Sequence, residues 1–104
     1  LNVSADHGCI FQRRVEPGGE TTLTDAGPSR AGGMWVRLTR SGKAVTAYVG
    51  ADDAGQKWKR IGSEVLEIKD PVIVGLCVCS HEGGTMCAAG FRNLTLTGNA
   101  DPQR

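Results

Sequence analysis

The stretch Met34-Trp35-Val36-Arg37-Leu38-Thr39-Arg40-Ser41-Gly42-Lys43-Ala44-Val45-Thr46-Ala47-Tyr48-Val49 decides how the chain is read. Met34, Val36 and Leu38 fall on one side of an extended backbone and Trp35, Arg37 and Thr39 on the other, the period of a strand with one buried face. Lys43 to Val49 repeats the pattern, with Val45, Ala47 and Val49 on one face and Ala44, Thr46 and Tyr48 on the other. Between the two runs, Ser41-Gly42 suits a tight two-residue hairpin, because glycine tolerates positive φ. With that loop, Leu38 pairs with Val45, Val36 with Ala47 and Met34 with Val49. A three-residue loop would set Leu38 against Ala44 and mix the faces, the slip that a buried face forbids. The chosen register places Trp35 directly across from Tyr48 and Arg37 across from Thr46, all on the face turned away from the core.

Working outward, further strands are expected at Cys9 to Val15, Glu20 to Thr24, Trp58 to Gly62, Pro71 to Cys79 and Thr85 to Leu96. Each is bounded by turn chemistry: Glu16-Pro17-Gly18-Gly19, Ala26-Gly27-Pro28-Ser29, Ala31-Gly32-Gly33, Asp52-Asp53-Ala54-Gly55 and Glu82-Gly83-Gly84. A change of apolar parity near Arg92-Asn93 suggests a β-bulge. No segment repeats at helical spacing. Many short strands at regular intervals make an antiparallel β-sandwich the expected architecture, with Leu38, Val45, Val74, Leu76 and Phe91 buried together between facing ribbons. Residues 1–97 are taken as one module, and residues 98–104 as a frayed polar tail.

Composition narrows the function. A chain of 104 residues has room for one domain. Twelve Lys and Arg against eleven Asp and Glu leave a net charge of +1, so there is no broad field to gather nucleic acid or anionic lipid. The longest apolar run, Val72 to Val78, is far short of the ~18 to 20 residues that span a bilayer as a helix. Neither nucleic-acid binding nor membrane insertion is expected. Cys9, Cys77, Cys79 and Cys87 are too sparse for a disulfide scaffold and are expected as mostly buried thiols, with a single bridge in the Cys77 to Cys87 segment as the alternative.

Three segments in fixed order carry a resemblance. Trp35-Val36-Arg37-Leu38-Thr39-Arg40-Ser41-Gly42 leads into a strand ending at Tyr48; an acidic glycine turn reaches Trp58 and Ile61-Gly62; Val72-Ile73-Val74-Gly75-Leu76-Cys77-Val78-Cys79-Ser80-His81 then precedes Phe91-Arg92-Asn93-Leu94-Thr95-Leu96. Over roughly residues 9 to 97 this resembles the C-terminal half of the concanavalin A-like (laminin G-like) jelly-roll modules of bacterial extracellular and surface proteins. The resemblance implies a two-sheet sandwich without a cofactor, an extracellular or cell-surface setting, and an accessory role that includes carbohydrate binding. Complete members of that family are longer, which implies that an upstream segment or a homo-oligomer partner completes the sheets. Cys77 and Cys79 occupy positions that are small in the family, which makes an oxidising compartment less certain.

Trp35 and Tyr48 with Arg37 make a flat aromatic patch beside a bidentate donor, a platform for a sugar ring; cross-strand aromatic pairs also stabilise sheets without binding anything. Asp53-Ala54-Gly55-Gln56-Lys57-Trp58 fits the Asp-box pattern, in which Asp ties a turn and Trp anchors the returning strand in the core. Arg13, Arg14, Lys57, Lys59 and Arg60 are read as solvated charge. Cys77, Cys79 and His81 share one strand face and Cys87 follows the hairpin. Same-face neighbours on a strand stand ~6.5 to 7 Å apart, too far to converge readily on one zinc ion, and no metal site is assigned. Ser80 and His81 face opposite ways as strand neighbours and cannot form a simple dyad, and no pair among Asp52, Asp53, Glu64, Glu67, Asp70 and Glu82 is placed for glycosidase chemistry. No catalytic residue is assigned. The expected function is a non-catalytic binding module that takes glycan through Trp35, Arg37 and Tyr48. A structural or oligomerisation module, and a fragment of a sandwich glycoside hydrolase, are the alternatives.

Overall fold

The structure is a computed structural model that describes residues 1–4, 8–25, 27–28, 33–50, 57–80 and 82–98. The described residues contain no helix and form β1 (Asn2–Ser4), β2 (Gly8–Arg14), β3 (Thr21–Asp25), β4 (Val36–Ser41), β5 (Ala44–Gly50) and β6 (Trp58–Val65). These strands pair antiparallel in chain order into two three-stranded sheets, β1-β2-β3 and β4-β5-β6. The chain is therefore all-β, as its periodicity implied. It divides into two units, Leu1–Val72, which holds both sheets, and Ile73–Arg104.

Local chemistry explains the first sheet. The Gly19 N–H donates to the Glu16 carbonyl at 2.9 Å and Gly18 sits at φ 73°. Proline at the second position and a left-handed glycine at the third are the signature of a type II turn. At the far end of β3, Asp25 Oδ1 accepts the Gly27 N–H at 2.7 Å, and the Gly27 carbonyl accepts the Cys9 N–H at 3.0 Å. This side-chain turn carries the chain past the β3 end while still satisfying a β2 donor.

The β4–β5 hairpin has two loop residues, but they are Gly42 and Lys43. Ser41 pairs with Ala44, Arg40 with Val45, Leu38 with Ala47, Arg37 with Tyr48 and Val36 with Val49. The pairing expected from a Ser41-Gly42 loop is thus displaced by two residues. The cause is turn geometry. Among the described residues Gly42 has φ 58° and Asn93 is the one non-glycine with positive φ, so the loop has the glycine-first pattern of a type II′ turn. A Ser41-Gly42 loop would force Ser41 into the left-handed region. An even displacement preserves the faces, since side chains alternate with period two, and the two sets of side chains stay on their own sides although their partners change.

Gly62 of β6 marks where the two sheets approach. A Cβ placed there would lie 3.7 Å from Phe11 Cδ2 and 3.8 Å from Thr24 Cγ2. The buried hydrophobic residues are Cys9 and Phe11 from β2 and Ala47 and Val49 from β5. This core replaces the one expected from sequence: Leu38 is 50% exposed, Val74 68%, Leu76 54% and Phe91 52%, and Val45 is half-buried. Leu38 loses its cover because the first sheet meets the second through β6, while β4 lies at the opposite edge.

The bulge is found elsewhere than expected. Tyr48 pairs with Arg60 and Ala47 with Gly62, so β6 carries one extra residue at this step. Asn93, at the expected position, adopts φ 56° outside any strand. Residues 73–80 and 82–98 of the second unit contain no strand, so the ones expected at Pro71 to Cys79 and Thr85 to Leu96 do not form. A period-two pattern makes a strand only where a neighbour supplies a hydrogen-bonding ladder. The turn anticipated at Glu82-Gly83-Gly84 is present, with the Thr85 N–H donating to the Glu82 carbonyl at 3.2 Å and Gly84 at φ 77°. The turns expected around 29–32 and 52–55, and the tail beyond Gly98, lie outside the described residues.

Candidate functional site

Register across the second sheet builds the outward face row by row. Arg37 pairs with Tyr48, and Tyr48 with Arg60. One row further on, the Gly50 N–H donates to the Trp35 carbonyl at 2.8 Å, and Gly50 pairs with Trp58. Side chains that stand opposite one another share a face, so Trp35, Arg37, Tyr48, Trp58 and Arg60 belong to one surface, opposite in parity to Ala47 and Val49. Beyond the bulge this surface continues through Thr39, Thr46 and Ser63, where the Thr46 and Ser63 hydroxyls are 3.0 Å apart and Ser63 Oγ donates to the Val45 carbonyl at 3.2 Å.

Arg37 is the centre of this face. Its guanidinium carbon lies 4.5 Å from the Tyr48 ring centroid and 4.5 Å from the Trp58 ring centroid. Cation–π contacts of this kind contribute ~0.5 to 1 kcal/mol each at exposed sites. Arg37 and Trp58 stand two strands apart and one row offset, a Cα separation of roughly 12 Å. They meet because the residue between them, Gly50, has no side chain to obstruct the crossing. A guanidinium that stacks through its faces keeps its in-plane N–H donors available for other partners. Among the described residues, no hydrogen bond or ion pair takes up these donors. Tyr48, Trp58 and Trp35 are half-buried; Arg37 and Arg60 are exposed.

The three residues singled out from sequence therefore lie on one face, in a different arrangement. Trp35 stands opposite Gly50 instead of Tyr48, and Arg37 takes the place opposite Tyr48. Trp58 and Arg60 were missed as members of the face. Trp58 had been assigned to the core as an Asp-box anchor, yet its ring lies against Arg37; Asp53 to Gln56 are outside the described residues. The signal that could have found it is the pairing of β5 with β6, since Gly50 opposite Trp58 leaves the ring free to cross the sheet.

The other candidates have local roles. Arg13 is not simply solvated: its guanidinium lies 4.8 Å from the Phe11 ring centroid, and Nη1 donates to Thr24 Oγ1 at 2.5 Å and to the Phe11 carbonyl at 3.2 Å. Its Nε is buried without a partner among the described residues. A shallow dent beside the β4–β5 turn is held by Arg40–Asp70 and Lys43–Glu67 ion pairs, each 2.6 Å, and both of its carboxylates are taken up by these pairs. Ser80 Oγ donates to the Glu82 carbonyl at 2.8 Å and accepts the Glu82 N–H, which engages it in a turn. All four cysteines are thiols, but only Cys9 is buried; Cys77, Cys79 and Cys87 are exposed, contrary to expectation. Among the described residues no group of three ligand side chains could hold a metal ion, and His81 lies outside them.

Fold and face together define an all-β protein with an aromatic and arginine-bearing sheet surface. Comparison with known protein families, curated proteins and solved structures finds no match.

Proposed function

We propose that this chain is a non-catalytic binding module that holds carbohydrate on the outward face of the β4-β5-β6 sheet, within a concanavalin A-like sandwich of which the two sheets would form part. One observation carries the reading: Arg37 is stacked over both Tyr48 and Trp58. Sugar rings offer C–H faces to aromatic planes and hydroxyls to fixed donors. Rings already held by Arg37 lose little freedom on binding, which favours affinity. The original triad of Trp35, Arg37 and Tyr48 becomes Arg37, Tyr48 and Trp58, with Trp35 at the rim. A glycan array probed with the wild-type chain, Trp58→Ala and Tyr48→Ala tests it, with circular dichroism verifying that the variants keep their strands. Binding by the wild type that disappears in both variants supports the proposal. An array without signal, or variants that bind like the wild type, overturns it.

The second reading is a structural module that completes its sheet against another copy of the chain. It is favoured by β4, whose residues are all exposed, with Val36 and Leu38 at 43% and 50%. Its test belongs to the behaviour of the whole molecule and is given in the Discussion.

A further inference from the structure

We infer that the face takes an acidic glycan, one whose sugars carry carboxylates, in preference to a neutral one; this rests on the carbohydrate reading above. The argument is one of matched donors and acceptors. The outward-facing positions are Arg37, Thr39 and Ser41 on β4, Ala44, Thr46, Tyr48 and Gly50 on β5, and Trp58, Arg60, Ser63 and Val65 on β6, with Trp35 continuing the β4 edge. No aspartate or glutamate stands among them. Glu64 pairs with Val45 and belongs to the opposite face. A neutral saccharide presents hydroxyl donors as well as acceptors and is held best where carboxylates or amides receive those protons. Here the strongest polar groups only donate, and the Thr46 and Ser63 hydroxyls are engaged with each other and with the Val45 carbonyl. A ligand rich in acceptors fits such a surface.

Arginine adds geometry to charge. Arg37 and Arg60 flank Tyr48 in a single cross-sheet row, their Cα atoms separated by two strand spacings, roughly 10 Å. Each guanidinium is a planar fork that meets a carboxylate through two parallel N–H donors, and the one of Arg37 lies over both rings with no acceptor on its donors among the described residues. Successive uronic acid residues can thus place carboxylates over the two arginines while the sugar rings lie along Tyr48 and Trp58. A nucleic acid fits less well. Its affinity grows from many phosphate contacts in a basic field, whereas the chain has net charge +1 and this face has two arginines.

The test uses calorimetric titration of the full chain with a short oligogalacturonate, with the same oligosaccharide as its methyl ester, and with an oligothymidylate of similar length. The ester keeps the ring and its hydroxyls and removes only the charge. The free acid should bind about tenfold more tightly than the ester, and Arg60→Gln, which leaves the Arg37 contact in place, should lower that ratio to about threefold, because charge-assisted bidentate contacts exceed neutral ones. Equal binding of acid and ester by the wild type overturns the inference and leaves the carbohydrate reading standing. Binding of neither overturns both. Oligothymidylate binding as tight as that of the free acid also overturns it, since the face would then recognise polyanions in general.

Discussion

Cys9 is fully buried, and that burial pushes its thiol above the ordinary value; the N-terminal amine pulls the other way and Asp25 adds to the rise. The folded chain therefore holds its proton to higher pH than the unfolded chain does. Below the usual thiol value of about 8.5 both states are protonated and the stabilisation is complete. As pH rises through that value and towards the folded one, the unfolded state ionises first, binds fewer protons and gains on the native state, so stability falls. Urea midpoints followed across this alkaline range should decline more steeply for the wild type than for Cys9→Ala; parallel curves would remove the argument. In the same experiment, iodoacetamide should modify Cys77 and Cys87 in the folded protein and Cys9 only on unfolding. Two glycines give opposite outcomes by the same reasoning. Gly8 has φ 69° and a Cβ there would come within 2.9 Å of Pro28 Cα, so Gly8→Ala should cost about 2 kcal/mol or more. Gly62 has no positive φ and its nearest neighbours would be 3.7 Å away. Gly62→Ala should gain about 0.5 kcal/mol by restricting the unfolded chain, as measured by urea denaturation.

At the scale of elements, Gly50 makes the crossing of Trp58 to Arg37 possible. Gly50→Thr puts a branched side chain beneath the ring and should cost about 1 kcal/mol, the size of the cation–π contact that it disrupts. Arg37→Ala removes the same contact from the other side. The two effects should not add: the double variant should be no less stable than the worse single one by more than a few tenths of a kcal/mol. Full additivity in this cycle would mean that the two changes act on different interactions. The same elements show what sequence could convey. Strands β2 to β6 were legible because their apolar residues alternate and their ends carry Pro-Gly, Asp or Gly turns. The Gly18 turn was legible because only glycine sits comfortably at positive φ. The partners were harder to read, since period two fixes which face a residue occupies and leaves even displacements open. Only the demand for a left-handed residue first in the loop selects Gly42-Lys43 over Ser41-Gly42. Arg37 and Tyr48 were thus recognised as neighbours on one face before their pairing could be known. Trp58 was hidden because its place depends on a bulge in β6 that has no signature in composition.

At the scale of the molecule, the decisive feature is a small core beside the β4 edge, which no strand joins among the described residues. Cys9, Phe11, Ala47 and Val49 are buried, while Val36 and Leu38 share the parity of Ala47 and Val49 and remain exposed. The segment from Val72 to Val78 has the composition of a buried strand yet forms none, a conflict between local preference and observed structure. The backbone of β4 specifies how a partner would attach. The Gly50 N–H to Trp35 carbonyl bond makes Trp35–Gly50 a hydrogen-bonded pair, and such pairs alternate along an antiparallel ladder. Arg37–Tyr48 and Thr39–Thr46 are therefore bonded pairs, and the N–H groups of Val36, Leu38 and Arg40 point away from β5 into the open edge. A second β4 related by a two-fold axis could pair with these groups and bring Val36 and Leu38 of both copies under common cover. On this reading, sedimentation at micromolar concentration gives a dimer. Val36→Pro removes one edge donor without touching a bond to β5, and Leu38→Lys places charge under the joined edge; each should return the chain to a monomer with its strand content unchanged. A chain that is monomeric throughout, or dimers untouched by either substitution, eliminates β4 as the joining edge, whereas loss of the dimer in both variants would show that the exposed strand is where the sheet is completed.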